Sequence, residues 1–381
     1  MNDGNPSVAL ETLPGAAQAG ASALRENLRL AYAALWPIPA FAVLYFVISR
    51  LLWAFVPHHV PYSIPLAFFS ALMFLFAYGV IFIFRRIWAY IRHENPKSPT
   101  LQLARDLKDV FANRAALLNF AVIYPAFILF MFTFTELKGN IPLINPYGWD
   151  ATFAHLDKAL FAGHDPWRLL EPLLGNAYVT FIINFVYNFW FFLFLGSLIS
   201  VAISRTITQA DVRYLLSFML AWSIGGSLLA TLFSSAGPAF YGRLGLSPDV
   251  YAPLMNKLHA FNQVLPVWAL EKQDALWSLF EMKRVELGGM SAFPSMHNAQ
   301  ATLMALYAWK LGRKLGWAAT IYAGFIMTGS VWLGWHYAVD AMAGIAIAWG
   351  LWMLSGPLAA AIMKRPAMRR YRAVLRALAR A

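Results

Sequence analysis

The chain has 381 residues, of which 60% are hydrophobic and only 13% are charged, and its mean hydropathy is +0.55. Soluble globular domains carry roughly 25% charged residues, so this composition excludes that class and indicates a polytopic membrane protein. The net charge is +12, but the basic residues lie between apolar segments and in the tail, which argues against a nucleic-acid-binding surface. Because cysteine is absent, a disulfide framework and a thiolate metal site are excluded as well.

Eight apolar segments follow one another along the chain, and most are close to the roughly 20 residues that a membrane-spanning helix requires. They lie near residues 31–56, 63–84, 115–135, 176–202, 212–234, 296–311, 315–334 and 337–361. The first is too long for the apolar core of a signal peptide, so we expect it to be an uncleaved span. The sequence therefore predicts an all-α fold, a polytopic membrane helix bundle with about eight transmembrane helices.

The basic residues predict the orientation of this bundle. They precede the first span, fill the loop 85–114 and the later loops 205–213 and 310–314, and recur in the tail after residue 361. Basic loops stay in the cytoplasm, so both termini are expected there. The opposite, extracytoplasmic face would be periplasmic if the protein lies in a bacterial inner membrane. The tail can form a helix with an apolar side, suited to anionic lipids, although a solvated basic end is equally adequate.

Two long segments on the outward side, residues 136–175 and 235–295, are too apolar and aromatic to be flexible linkers. We expect residues 156–167 to form an interfacial helix and residues 268–280 to form a lid or rim. The scattered His and Asp residues of the first segment lack the spacing of a metal site. We interpret them as surface or interfacial residues: His155, Asp157, His164 and Asp165.

Two histidines and a carboxylate adjoin the last spans. The tetrapeptide Pro294-Ser295-Met296-His297 precedes one apolar segment, and His336 opens another that contains Asp340. On a helix, residues four apart share a face, so the Asp340 carboxylate can accept the His336 imidazole N–H and orient it as a nucleophile. His297, on a separate helix, can protonate a departing oxygen. The arrangement predicts phosphoryl transfer through a phosphohistidine, without a metal or other cofactor.

These residues resemble the motifs of the type 2 phosphatidic acid phosphatase superfamily of membrane enzymes. Its Pro-Ser-x-His motif matches residues 294–297, and its third motif matches at His336 and Asp340. The Ser-Arg pair that begins the third motif falls on Gly329 and Ser330 here. The first motif, Lys with six intervening residues and Arg-Pro, is absent, and residues 236–243 stand in its place.

The same loss of basic residues is a feature of the inositol phosphorylceramide synthase-like branch, which the chain resembles over about residues 115–360. The resemblance implies that His336 is the nucleophile, Asp340 its orienting carboxylate and His297 the general acid. It also implies three regions. Residues 1–114 would hold the cytoplasmic N-terminus and two additional spans, residues 115–361 a six-helix phosphatase-like catalytic core, and residues 362–381 the basic cytoplasmic tail.

Phosphoryl transfer needs donors and positive charge around the phosphate oxygens, and the family's cations are missing here. The candidate phosphate ligands are Ser295, the backbone of Gly288 and Gly289, Tyr241, Arg243, Lys283 and Arg284. Each has a structural alternative. The glycines would also permit a tight turn, the tyrosine would anchor at the interface, and the cations would extend from apolar surface to water.

The predicted function is that of a membrane phosphotransferase that passes a phospho-head group from a lipid phosphate ester to a lipid alcohol or similar acceptor. A diester carries less charge than a monoester, so the missing cations favour transfer. The alternative enzyme is a lipid phosphate or polyprenyl pyrophosphate phosphatase. The alternative from another class is a non-catalytic lipid transporter. The expected partners are the membrane lipid substrate and its acceptor, and the sequence does not identify a partner subunit.

Overall fold

The computed structural model describes residues 14–56, 58–284 and 289–379, and this part of the chain is helical, with no β-strand. The N-terminal helices are α1 (Pro14–Leu35), α2 (Pro37–Trp53), α3 (Ile64–Ala89), α4 (Pro99–Ala112) and α5 (Arg114–Gly139). The middle of the chain forms α6 (Ile141–Ile144), α7 (Asp150–Leu160), α8 (Pro166–Leu174), α9 (Ala177–Ala202), α10 (Gln209–Leu220) and α11 (Ala230–Leu232). The last helices are α12 (Ala252–Asn262), α13 (Trp268–Glu281), α14 (Met296–Leu311), α15 (Arg313–Trp332), α16 (Ala338–Lys364) and α17 (Pro366–Leu378). The predicted all-α fold class is confirmed.

Within the described ranges, five helices are long and apolar enough to cross a membrane, which is consistent with an integral membrane protein. They are Ile64–Glu94, Arg114–Gly139, Ala177–Ala202, Gln209–Leu232 and Ala338–Lys364. A sixth would be the pair Ser22–Leu35 and Pro37–Trp53, whose axes differ by 67°. The bend falls where Pro37, which has no backbone N–H to donate, begins α2. The predicted count of about eight spans is therefore not confirmed.

Helix α14, which carries His297, is enclosed by other helices of the bundle. Helix α14 packs against α9, α10, α15 and α16. Its buried residues include Ala299, Ala301, Ala305 and Ala308, and small side chains allow neighbouring helices to approach closely. The following helix, α15, returns beside α14, so the start of α14 and the end of α15 lie at the same end of the bundle.

The first outward segment folds against that end instead of remaining on the surface. Helix α7 packs against α16, and the side chains of Asp157 and Asp165 are only 2% and 7% exposed. The interpretation of these two aspartates as surface or interfacial residues was therefore wrong, whereas His155 and His164 are exposed as expected. In the second outward segment, residues 268–280 lie in helix α13, and their role as a lid or rim stays a prediction.

The basic tail forms the expected helix, α17, and its apolar face is covered by protein. Met368, Tyr371 and Leu375 are buried where α17 packs against α1 and α5. The Tyr371 hydroxyl donates to Asn119 Oδ1 of α5 at 2.7 Å. This contact ties the tail to the bundle and leaves mainly its arginine side outward, while its binding to anionic lipids stays a prediction.

Candidate active site

His336 lies in the turn between α15 and α16 and is only 6% exposed. Its Nδ1 atom is 2.9 Å from the carbonyl oxygen of Ala292 and 3.6 Å from Oδ2 of Asp340. A carbonyl oxygen can only accept, so Nδ1 carries the proton and Nε2 keeps its lone pair. Burial, and then the positive charge of Lys138, lower the pKa of His336 below its ordinary 6.5, which favours the neutral ring. The imidazole is thus held in the form that a nucleophile requires.

Asp340 is fully buried in the first turn of α16. Its Oδ2 accepts from the backbone N–H of Tyr337 at 2.9 Å, and its backbone oxygen accepts from the N–H of Ser295 at 3.0 Å. The predicted proximity of Asp340 to His336 is present, but the nearer partner of the imidazole N–H is the Ala292 carbonyl. Asp340 therefore places a carboxyl oxygen near the imidazole and links the two motifs through the backbone.

His297 reaches the same place from the first turn of α14. Its ring centroid is 5.8 Å from that of His336, with the ring planes at 60°. The other side of the ring is enclosed by Trp190 and Tyr187 of α9, whose centroids lie 4.3 and 4.9 Å away. No hydrogen bond joins the His297 ring to another described residue. Two imidazoles, one from α14 and one from the turn before α16, thus lie close together, one held by a hydrogen bond and the other by aromatic packing.

Ser295 has a structural position at the beginning of α14. It is completely buried, and its Oγ accepts from the backbone and side-chain nitrogens of Asn298 at 3.4 and 3.0 Å. On the facing helix, a Cβ at Gly344 would lie 2.3 Å from the Ser295 carbonyl oxygen, so only glycine fits there. The contact fixes α14 against α16 and with it the separation of the two histidines. The hydrogen bond from the Asn298 N–H makes Ser295 the N-cap of α14. Its contact with phosphate stays a prediction.

Helix α7 supplies two buried carboxylates that sequence reasoning did not assign to the site. Asp157 accepts from the backbone N–H groups of Ala338 and Val339, each at 2.8 Å. Asp150 accepts from the N–H groups of Ala236 and Gly237 at 3.0 and 2.8 Å. Burial raises the pKa of both carboxyl groups, that of Asp157 to about 7. The sequence signal was the seven-residue spacing, which places both carboxylates on one face of a helix.

A family model described as the PAP2 superfamily matches residues 151–354, more than half of the chain. The protein belongs to the PAP2 superfamily. Membership supports an enzyme of the phosphatase or phosphotransferase type that acts on lipid phosphates. The match does not distinguish branches of the superfamily, so the inositol phosphorylceramide synthase-like assignment stays a prediction. No curated protein and no solved structure matches.

The matched region of this PAP2 superfamily member contains the predicted replacements for the missing family cations, and they lie in different settings. Arg243 is paired with Asp274 and lies 5.8 Å from the ring centroid of Trp277. Lys283 and Arg284 are exposed at the end of α13. None of the three has a described contact with His297 or His336. Tyr241 is buried beside Tyr251, with ring centroids 5.5 Å apart.

The predicted glycine pair is only partly described, since Gly288 lies outside the described residues. A Cβ at Gly289 would lie 2.7 Å from the carbonyl oxygen of Lys138 and 2.8 Å from Cα of Gly139. Glycine is therefore required here for close packing of the backbone against the end of α5. The segment after Gly289 leads to Ala292, whose carbonyl holds His336, so this packing supports the site indirectly.

Lys138 is the cation that the sequence analysis missed. It lies in the last turn of α5, is half-buried, and interacts electrostatically with both His297 and His336. Within the described ranges it has no ion-pair partner. The available signal was its position directly after the predicted span 115–135, on the same side of the bundle as the histidines.

In the described part of the chain, no cluster of three or more potential ligands has the arrangement of a metal site.

Proposed function

We propose that this PAP2 superfamily member transfers a phospho-head group from a lipid phosphate ester to an alcohol acceptor through a phosphohistidine. The observation that carries the proposal is the pair of neighbouring imidazoles, His336 with Nδ1 held by Ala292 and His297 5.8 Å away. One neutral histidine and one histidine available for proton transfer are the groups that such a reaction needs.

In the first step, Nε2 of His336 attacks phosphorus and the bond from phosphorus to the leaving oxygen breaks. His297, which must first take up a proton because burial lowers its pKa, donates that proton to the leaving oxygen, so the leaving group departs as an alcohol. In the second step, neutral His297 accepts the proton of the incoming hydroxyl group, whose oxygen attacks phosphorus. The N–P bond then breaks and both histidines return to their starting forms. If water enters instead of the alcohol, the same steps describe a phosphatase.

An apolar groove beside the site fits a lipid chain. It has a volume of about 290 Å³ and lies between α9 and α13, lined by Phe185, Phe189, Phe192 and Trp268 among others. Polar groups, Asn188 and Lys272, lie in the same lining. The opposite face of α9 carries Tyr187 and Trp190, which enclose His297. Lys272 of the groove lining also interacts electrostatically with His297, which connects the groove to the site. A lipid with its chain on α9 would keep its head group near the site.

Product analysis separates transfer from hydrolysis. The purified protein would be reconstituted in vesicles with a phospholipid labelled with ³²P, with and without a lipid-alcohol acceptor whose chains differ in length from those of the donor. We expect a labelled phospholipid to form on the acceptor and to be absent from the His336→Ala variant. Release of the labelled phosphate in water-soluble form, as head-group phosphate from a diester or inorganic phosphate from a monoester, unaffected by the acceptor and also lost in the variant, would instead identify hydrolysis. If neither transfer nor hydrolysis occurs but labelled lipid moves between the leaflets, the result would support the alternative function, a non-catalytic lipid transporter.

We further propose that Lys138 supplies positive charge to the phosphate oxygens. Its ammonium group is the described cation that interacts with both histidines, and donors aimed at developing charge contribute strongly to catalysis. Lys138→Met is expected to lower kcat/KM by about 100-fold, because removing one such donor costs about 10²- to 10³-fold. Lys138→Arg should retain more activity, since the charge remains.

The control variants for Lys138→Met remove the three cations that the sequence analysis named as candidate phosphate ligands. Arg243→Met, Lys283→Met and Arg284→Met should each leave kcat/KM within about threefold of wild type, because exposed or paired surface charges contribute little. Steady-state kinetics of the four methionine variants on the same phospholipid decides between the sites. A large loss in Arg243→Met with full activity in Lys138→Met would contradict the assignment.

A further inference from the structure

We infer that α7 is the element that positions the nucleophile, and that Asp157 is a positioning residue for His336. The inference rests on the proposed function, since it concerns the geometry of the same histidine. Its basis is a set of hydrogen bonds between α7 and the backbone on both sides of His336.

The buried face of α7 consists of Asp150, Phe153, Ala154 and Asp157. Their spacing of three, four and seven residues places all four on one side of the helix. The apolar pair packs between the two carboxylates, and the Phe153 ring stacks on that of Phe293 with centroids 4.7 Å apart. Both carboxylates are only 2% exposed and both accept backbone N–H groups. Buried carboxylates with defined partners fix geometry, because an unpaired one would be costly.

Asp157 determines where α16 begins. The first N–H groups of a helix have no partner within the helix. In α16, the N–H of Tyr337 is accepted by Asp340, and those of Ala338 and Val339 are accepted by Asp157. Three successive donors directly after His336 are thus bound by two carboxylates, and one of these comes from a helix about 180 residues earlier in the chain. The backbone that carries His336 therefore cannot move relative to α7 without breaking these hydrogen bonds.

Asp150 holds the other support of His336. It binds the N–H groups of Ala236 and Gly237, and it also accepts from the Tyr337 hydroxyl at 2.8 Å. The adjoining Ser235 carbonyl accepts from the N–H of Ala292 at 2.9 Å. The Ala292 carbonyl in turn holds Nδ1 of His336. Through its two carboxylates, α7 therefore reaches both the helix that follows the nucleophile and the carbonyl that orients it.

Two independent measurements test the role of Asp157. In Asp157→Asn, the amide group keeps one acceptor oxygen but presents N–H groups to the other backbone donor. We expect faster hydrogen–deuterium exchange in the peptide covering residues 335–342, and a fall in kcat of about 10- to 100-fold, as expected for a misplaced reacting group. KM should change by less than about threefold, because Asp157 contacts the enzyme backbone and not the substrate.

Asp211→Asn is the matched control. Asp211 is also a buried carboxylate at a helix N-terminus, where it accepts from the Thr208 N–H at 2.8 Å and from the Tyr307 hydroxyl. It lies at the start of α10, which is the other end of the bundle according to the predicted orientation. Its variant should keep kcat within about twofold and leave the exchange of residues 335–342 unchanged. An equal loss of kcat in both variants would reduce Asp157 to a general structural role and overturn the inference.

The pH profile adds a third readout. The charged or titratable groups around Asp157 are Asp165 between α7 and α8, Asp340 on α16 and Tyr251 beside α12. Because burial places the pKa of Asp157 near 7, protonation below that pH would convert one acceptor oxygen into a hydroxyl group. We expect kcat of the wild type to fall on the acid side of pH 7, and the midpoint of that fall to move in Asp157→Asn. An unchanged midpoint would count against the inference.

Failure of the inference is distinguishable from failure of the proposed function. If His336→Ala retains wild-type turnover, the phosphohistidine mechanism is wrong and Asp157 has no nucleophile to position. If His336→Ala is inactive while Asp157→Asn keeps full kcat and unchanged exchange, the proposed function stands and only the role of α7 is refuted.

Discussion

Replacing His336 by alanine or glutamine is expected to lower turnover by about 10⁴-fold or more, because removal of a covalent nucleophile leaves only the binding and electrostatic contributions. Glutamine is the more informative change, since it preserves much of the side-chain volume and leaves an amide group near the Ala292 carbonyl. Initial rates on a labelled phospholipid, measured for equal amounts of folded protein, give the size of the loss. His155→Gln is the control, because His155 is exposed on α7.

The same variant tests the covalent intermediate directly. An N–P bond is labile in acid and stable in alkali, so an alkaline quench during turnover should preserve a phosphorylated peptide that contains His336. We expect that peptide in the wild type and in His155→Gln, and its absence from His336→Gln. Phosphate found on His297 instead would reverse the two assigned roles. Full activity of His336→Gln would refute the mechanism.

Replacing His297 by glutamine is expected to lower turnover by about 10²- to 10⁴-fold, the range for loss of a general acid or base. The size of the loss should depend on the leaving group. A lipid alkoxide needs a proton in order to depart, whereas a nitrophenolate does not. We therefore expect formation of the phosphohistidine to be strongly impaired with a phospholipid and much less impaired with a nitrophenyl phosphate ester.

Single-turnover kinetics separates the two chemical steps for this test. Release of nitrophenolate reports the first step, and its rate in His297→Gln should approach that of the wild type. Discharge to the acceptor alcohol should remain slow, since His297 also removes the proton of the incoming hydroxyl group. The paired control is Trp190→Phe, which keeps an aromatic ring beside His297. Equal losses with both leaving groups would show that His297 acts in a way other than proton transfer.

Local sequence patterns were enough to predict the all-α membrane fold and the three central residues of the candidate site. Apolar segments of membrane length predicted the all-α fold, because backbone groups in hydrocarbon must be paired within the segment. His336 and Asp340 were found because four residues along a helix return to the same face. His297 was found through the short motif that contains it. In each case the necessary information lies within a few turns of one helix.

The number of spans was less predictable for a physical reason. Hydropathy measures whether a segment is apolar, but it does not measure whether the segment is straight. The predicted span 31–56 is bent at Pro37, and the segment at 296–311 forms a helix of 16 residues enclosed by other helices. An apolar segment enclosed by protein and one that faces lipid have similar compositions, and only their packing distinguishes them.

The contacts that hold His336, the proposed nucleophile, depend on tertiary structure alone. The Ala292 carbonyl that orients His336 is a backbone group, which every residue possesses and no motif marks. Asp157 reaches the start of α16 from a position 181 residues away from Ala338, and Lys138, at the end of α5, interacts electrostatically with His336. Such contacts depend on which helices lie side by side. The sequence by itself predicted the candidate reactive groups of this protein, while the packing of α5, α7, α14 and α16 determined the hydrogen bonds and charges around them.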